Sequence, residues 1–241
     1  MWFFSKKKTV ADSRLLDGFV DWHSHILPGV DDGVEETEES FRILELMYSV
    51  GTRHVVLTPH IMEDIPNETA DLLNRFNKLI SECQDGNMPK MSLGAENMLD
   101  NLFLKRQECT DFLPIKADRL LVETSYFNPP MDLDGMLSSI ASSGYFPVLA
   151  HPERYRYMSQ TDYTRLKSAG VLFQLNLTSV VGGYGREAYD KSHMLLEMGY
   201  YDMAGLDIHR YSQYDNFLKV EIPDKLVRQL RPLLDKSNMQ L

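Results

Sequence analysis

Asp21-Trp-His23-Ser-His25-Ile-Leu-Pro-Gly-Val-Asp31-Asp32-Gly33 is the stretch that decides the fold. It closes an apolar run, Gly18–His23, that reads as a β-strand. His23 and His25 stand two apart, and side chains of an extended segment alternate between faces, so both imidazoles project to one side. One metal ion can be gripped by such a pair. Asp31 and Asp32 then compete for one role, because the turn before Gly33 also needs a small polar residue to shape it.

The same pattern recurs outward from this stretch. Six further apolar runs read as strands: Arg53–Thr58, Met91–Ala95, Arg119–Glu123, Phe146–Ala150, Val171–Asn176 and Asp202–Leu206. Most of them run into residues that ligate metals: Thr58-Pro-His60, Gly94-Ala-Glu96, Glu123, Ala150-His151-Pro-Glu-Arg154 and Asp207-Ile-His209. Five of the seven histidines fall at such ends. Between the runs lie amphipathic stretches near Thr37–Val50, Glu68–Cys83, Met131–Ser143, Thr161–Ala169, Glu187–Met198 and Pro223–Asp235. Thr37 is the expected N-cap of the first, with Glu38 and Glu39 suited to its positive dipole end. Strands alternating with helices predict a parallel α/β sheet. Seven strands without a Gly-x-Gly-x-x-Gly turn favour a closed or distorted barrel over a dinucleotide-binding sheet, and in a parallel barrel the carboxyl ends of the strands form one face where loops converge on a shared site.

Composition narrows the function. The 241 residues carry 25 Lys plus Arg against 35 Asp plus Glu, a formal charge of −10, which argues against a nucleic-acid partner. Cys83 and Cys109 are the only cysteines, too few for a thiolate zinc site or a disulfide framework. No membrane span is legible, and the charges of Met1–Lys8 follow its apolar residues, so a cytoplasmic protein is expected. Residues 1–17 are expected to be an N-terminal tail and 18–241 a single barrel domain.

Other signals carry less. His54 opens a strand at its far end and His193 sits within a helix, so both are expected to be structural. Neither cysteine begins a Cys-x5-Arg loop, which removes the thiolate route to phosphate esters. Asp132-Leu-Asp134-Gly135 follows Asn-Pro-Pro-Met instead of a strand and is expected to cap a helix. Gly182-Gly183-Tyr184-Gly185 reads as a turn beside the site, with backbone N–H groups that could touch phosphate.

Together, His23-Ser-His25 with Asp31-Asp32-Gly33, Thr58-Pro-His60, Glu96, Glu123, His151-Pro-Glu-Arg154 and Asp207-Ile-His209 resemble the polymerase-and-histidinol-phosphatase superfamily. Glu38-Glu39-Ser40 and Gln174-Leu-Asn176 point to its bacterial protein-tyrosine-phosphatase branch, tied to capsule and exopolysaccharide synthesis. The resemblance implies an α/β fold, a distorted (β/α)7 barrel with the metal site at the C-terminal ends of the strands, carrying three divalent metal ions, with manganese favoured and iron or zinc as alternatives. One would take His23, His25, Glu96 and Asp207, with Glu96 bridging to a second held also by Glu123 and His151. A third would use Asp32, His60 and His209. Arg154, Asp207 and His209 are the implied catalytic residues. Substrate would meet Arg154, with Arg186, Arg210 and Phe127 as further candidates. Tyr214 stands where a second family arginine is sought. The implied partner is a phosphotyrosine protein, an autophosphorylating bacterial tyrosine kinase. A small-molecule phosphatase on the same scaffold and a regulatory module that has lost catalysis are the competing readings.

Charge arithmetic supports phosphate chemistry. Three divalent ions against Asp32, Glu96, Glu123 and Asp207, with neutral imidazoles, leave about +2 at the site. A phosphate dianion is attracted there despite the acidic chain. A phenolate leaving group, with a pKa of about 10, departs with little protonation.

Overall fold

Apolar runs bounded by Gly and Pro become short parallel strands, and the amphipathic stretches between them become covering helices. The structure, a computed structural model, describes residues 7–83, 86–109 and 111–240. The strands are β1 (Lys7–Thr9), β2 (Val20–Ser24), β3 (His54–Leu57), β4 (His60–Ile61), β5 (Lys90–Leu93), β6 (Glu96–Met98), β7 (Arg119–Glu123), β8 (Phe146–Ala150), β9 (Leu172–Asn176), β10 (Met203–Gly205) and β11 (Glu221–Pro223). The helices are α1 (Thr37–Ser49), α2 (Thr69–Glu82), α3 (Asn101–Cys109), α4 (Leu133–Ser142), α5 (Gln160–Ser168), α6 (Gly185–Glu197), α7 (Tyr211–Lys219) and α8 (Asp224–Asn238).

Six strands form a parallel sheet in the order β10-β9-β8-β7-β6-β4, and three more form a second in the order β2-β3-β5. Only Thr58-Pro59 separates β3 from β4, and only Gly94-Ala95 separates β5 from β6. Each of these chain passes therefore begins in one sheet and ends in the other. Pro59 has no N–H to continue a ladder. Gly94 lies so close to Ile115 that a Cβ would stand 2.9 Å from its Cγ2. At the other edge, Asp207 N–H donates to the carbonyl of His23 at 2.8 Å and His25 N–H to that of Ile208 at 2.9 Å. Gly205 permits this approach, since a Cβ there would be 2.5 Å from that of His23.

The apolar faces account for the packing. Val20, Trp22, Val56, Leu121, Val148 and Met203 form a cluster that draws on both sheets, and a larger cluster fills the space under the helices. Trp22 is fully buried and donates its indole N–H to Ser237 of α8 at 3.3 Å. Truncating it to alanine would cost about 3–5 kcal/mol.

All seven expected strands form, β7 and β8 with the expected bounds and the others shifted by one or two residues at their ends, and β4 and β6 continue two of them. Helices α3 and α7 were not expected. Glu36, not Thr37, holds the N-cap of α1, and Thr37 opens the helix without a side-chain cap bond. Residues 7–17 are not a loose tail: β1 pairs antiparallel with β11, and Val10, Leu15 and Leu16 are buried. The first six residues of that expected tail lie outside the described residues.

Candidate metal centre

Parallel strands send their carboxyl ends to one face, and there the candidate ligand side chains meet. The end of β2 supplies His23 and His25, β4 supplies His60, β6 Glu96 and β7 Glu123. His151 follows β8, and Asp207 and His209 follow β10. His151 and Asp207 hold φ of 34° and 54°, two of the three positive values among described non-glycine residues. Such backbone costs energy and persists where surrounding structure enforces it, typically at functional sites.

Three groups of donors converge. His23 Nε2 and His25 Nε2 lie 3.1 and 3.2 Å from Glu96 Oε2, and 3.4 and 3.2 Å from Asp207 Oδ1. Glu96 extends the cluster, with its Oε2 3.2 Å from His60 Nδ1 and its Oε1 3.0 Å from His151 Nε2. Glu123 Oε1 is 3.1 Å from His60 Nδ1. Asp32 Oδ1 stands 3.5 Å from both His60 Nε2 and His209 Nε2. In each of the sets His23/His25/Glu96/Asp207, His60/Glu96/Glu123 and His25/Asp32/His60/His209, the ligand atoms lie within 4.8 Å of one another. His60 thus faces both Glu123 and Asp32, and His25 faces two sets, which is broader sharing than the sequence suggested.

The donor set fits divalent cations. Glu96 Oε2, Glu123 Oε1 and His60 Nδ1 are buried without a hydrogen-bond partner, although each has an oppositely disposed group within ion-pair distance. Buried polar atoms left unpaired are costly, and a cation at their meeting point would satisfy several together. Burial opposes charge on Glu96, Asp207, His23 and His25. For Glu96, His23 and His151 outweigh that burial and hold the carboxyl well below its usual range. For Asp207, His23 and His25 do the same. The imidazole of His25 is pushed well up against burial by Asp207 and Asp31, and that of His23 is raised against burial by Glu96 and Asp207.

A supporting layer fixes these ligands. Gln174 Oε1 meets His23 Nδ1 at 2.7 Å, and Asp31 Oδ2 meets His25 Nδ1 at 2.8 Å, leaving both Nε2 atoms turned inward. Asp31 also accepts from the N–H groups of Gly33 and His60, so it shapes the loop while Asp32 faces the ligands. Asn176 Nδ2 donates to Asp207 Oδ2 at 3.1 Å. Gln174 and Asn176 were legible only as a family signature. Their spacing of two at the end of the ligand-free strand β9 is the signal that they share the inner face.

Arg154 donates to Asp207 Oδ2 at 2.6 Å, and its guanidinium lies between the rings of Tyr126, 4.4 Å away, and Tyr184, 4.0 Å away. Burial acts to lower its pKa, and Asp207 more than offsets this, so it stays charged. It lines a cleft of about 280 Å³ with Tyr126, Phe127, Arg156, Tyr184 and Arg186. Phe127 is 61% exposed there. Arg186 is exposed and pairs with Asp190 one helical turn on. Arg210 lies elsewhere: it donates to the carbonyls of Asp32, Gly33 and His209, bracing the Asp32 loop. Tyr214 is fully buried in α7 against Phe217 and supplies nothing to the cleft. His54 bonds Ser92, His193 bonds the Val180 carbonyl, and Asp132 caps α4 by accepting from Gly135 N–H.

Residues 19–219 match the family model described as capsular polysaccharide synthesis, CpsB/CapC. The chain is 26% identical to the tyrosine-protein phosphatase YwqE of Bacillus subtilis (strain 168) over 79% of its length and 77% of that protein's. It is 24% identical to the putative tyrosine-protein phosphatase CapC of Staphylococcus aureus, over 87% of this chain and 84% of that one. In three dimensions it aligns, with a TM-score of 0.78 at 21% identity, with one of the solved structures of YwqE from Bacillus subtilis and CpsB from Streptococcus pneumoniae, described as metal-dependent tyrosine phosphatases. That alignment covers 91% of this chain and 92% of the other.

Proposed function

The chain belongs to the capsular polysaccharide synthesis CpsB/CapC family, and on that premise we propose that it hydrolyses phosphotyrosine on proteins in a metal-dependent reaction. The observation that carries the reading is the convergence of four histidines and four carboxylates in three donor groups, joined by His151 through Glu96, with buried ligand atoms left unpaired beside a cleft holding Arg154. The residues would hold three divalent ions: His23, His25, Glu96 and Asp207 the first, Glu96, Glu123 and His151 the second, and Asp32, His60 and His209 the third. Manganese is the proposed occupant. Such ions, when bound, supply Lewis-acid polarisation of phosphate and acidify water.

The chain's own residues do the rest. Arg154 spends one N–H on Asp207 and keeps the remaining donors of its fork for phosphate oxygens. Its charge is held in place by two aromatic faces, so no reorganisation is needed as negative charge builds on the equatorial oxygens. Gln174, Asp31 and Asn176 keep the inner ligands oriented. Tyr126 and Phe127 line the cleft where a phenyl ring would lie, and the phenolate it releases needs little protonation.

The two sheets meet at both edges, and we read them as one distorted seven-stranded barrel. None of the described helices is long and apolar enough to cross a membrane. A cytoplasmic setting and a tyrosine kinase of the capsule machinery as substrate complete the proposal. The test is phosphate release from a phosphotyrosine peptide by stripped protein, with manganese, zinc or iron restored singly. Release that follows one metal supports the reading. Release only from small alkyl phosphates, or from nothing, ends it.

A further inference from the structure

The cleft beside Arg154 continues past that residue, and its exposed side carries an arginine with no assigned task. Arg156 N–H donates to the Tyr126 carbonyl at 2.9 Å, which ties its strand of chain to the loop bearing Phe127. Its guanidinium lies 5.0 Å from the centroid of the Phe127 ring. Among the described residues that guanidinium has neither a carboxylate partner nor a hydrogen-bond acceptor, whereas Arg154 and Arg186, the other arginines of the cleft, each pair with a carboxylate. On a chain of formal charge −10, a cation left unpaired at the edge of a phosphate cleft is open to an incoming anion.

The neighbouring acids do not fill that role. Glu187, which lines the same cleft, pairs with Lys191 at 2.9 Å, and Lys191 also donates to the Tyr155 carbonyl. Glu153 is buried and held by the Tyr201 hydroxyl and the Asn176 N–H. A guanidinium lying on an aromatic face keeps its edge donors outward, the geometry that takes a carboxylate in a two-pronged hydrogen bond.

We propose that Arg156, braced on Phe127, is a specificity-determining residue that favours phosphotyrosine peptides carrying Asp or Glu beside the phosphotyrosine. This rests on the phosphotyrosine reading above. Arg154 meets the phosphate, Phe127 meets the substrate's ring or backbone, and Arg156 reads the side chain next along the peptide.

The test compares peptides identical except for the residues flanking phosphotyrosine, which are Glu, Gln, Lys or a second phosphotyrosine. With the metal-replete protein, kcat/KM for the Glu peptide should exceed that for the Gln peptide about threefold to fivefold, the range expected of a partly exposed ion pair. The gap should narrow at high salt. Arg156→Met should bring the ratio to about one, and Arg156→Glu should turn the preference toward the Lys peptide, which only a folded enzyme could do. Equal rates on Glu and Gln peptides, or an unchanged ratio in both variants, would overturn the proposal while leaving the phosphatase reading intact. Preference for the doubly phosphorylated peptide without preference for Glu would also overturn it, since the subsite would then read phosphate. No hydrolysis of any peptide would remove both.

Discussion

Arg154 and Asp207 share a 2.6 Å hydrogen bond that divides the Asp207 carboxylate between two tasks. Its Oδ2 takes Arg154, Asn176 and, at 3.4 Å, the Tyr184 hydroxyl, while its Oδ1 faces His23 and His25. The arginine that would clamp phosphate therefore also aims a proposed metal ligand. Anchoring of ligands by outer groups commonly changes metal affinity 10- to 100-fold.

Arg154→Ala should consequently lower kcat about 10²- to 10³-fold and also weaken metal retention. Arg154→Lys keeps the charge but loses the planar fork, and Lys reaches one oxygen at a time. It should recover metal content more than it recovers kcat. Metal analysis after dialysis, beside steady-state kinetics, separates the two effects. Full metal content with unchanged kcat in Arg154→Ala would refute both roles.

Protons and metal should compete at this centre. Against burial, His23 is raised by Glu96 and Asp207, and His25 by Asp207 and Asp31, so in the metal-free protein these imidazoles keep protons above their ordinary range. Imidazole binds metal only when neutral, so loading must expel those protons. Metal affinity should fall steeply as pH drops from 8 to 6. Calorimetric titrations in buffers of different ionisation enthalpy should report proton release on binding. Binding enthalpies that do not vary with the buffer would contradict this arrangement.

The strand ends were legible because ligating residues follow apolar runs in β2, β7, β8 and β10, a coincidence with no packing cause. The breaks at Thr58-Pro59 and Gly94-Ala95 were marked by Pro and Gly, yet their consequence, a transfer between sheets, depends on contacts distant in sequence. Helix α7 carries Tyr211, Tyr214, Phe217 and Leu218 at helical spacing, but its nine residues give that period little more than two turns in which to show. In α3 the inward position that usually holds an aliphatic side chain holds Arg106, which is buried and bonds Asn97 and Thr69. That polar inner face weakened the amphipathic signal. The bracing role of Arg210 could not be read from sequence, since two of the three carbonyls it meets, those of Asp32 and Gly33, lie 178 and 177 positions earlier.

Gly33 supplies no ligand itself, yet it packs against the backbone of His25 and so tests the Asp32 loop. A Cβ there would overlap the His25 carbonyl oxygen and come within 2.7 Å of the His25 Cβ. Backbone cannot yield as a flexible side chain does, so Gly33→Ala should displace the loop and move Asp32 and His25 together. Overpacking of this kind costs about 1–3 kcal/mol. The expected result is a lower thermal midpoint with loss of at least one equivalent of bound metal. A variant with full metal content and wild-type stability would show that the loop relaxes freely.

Asp21 makes the sharpest stability prediction, because it is fully buried at the back of His23 and ligates nothing. Its Oδ1 accepts from the N–H groups of Leu206 and His23, at 2.9 and 3.2 Å, and its Oδ2 has no partner. Burial pushes its pKa up to about 7, the two backbone bonds offsetting only part of that. A carboxyl raised in the folded state favours folding fully only below its unfolded pKa near 4, and that contribution is lost as pH rises through 7. Between pH 5 and pH 8 the metal-free protein should therefore lose ~2–3 kcal/mol through this group. Asp21→Asn keeps an acceptor for both N–H groups and cannot ionise. Its thermal midpoint relative to wild type should rise by several degrees more at pH 8 than at pH 5. An equal difference at the two pH values would mean that Asp21 is ionised in the folded protein throughout, and that the backbone N–H groups suffice to hold its charge.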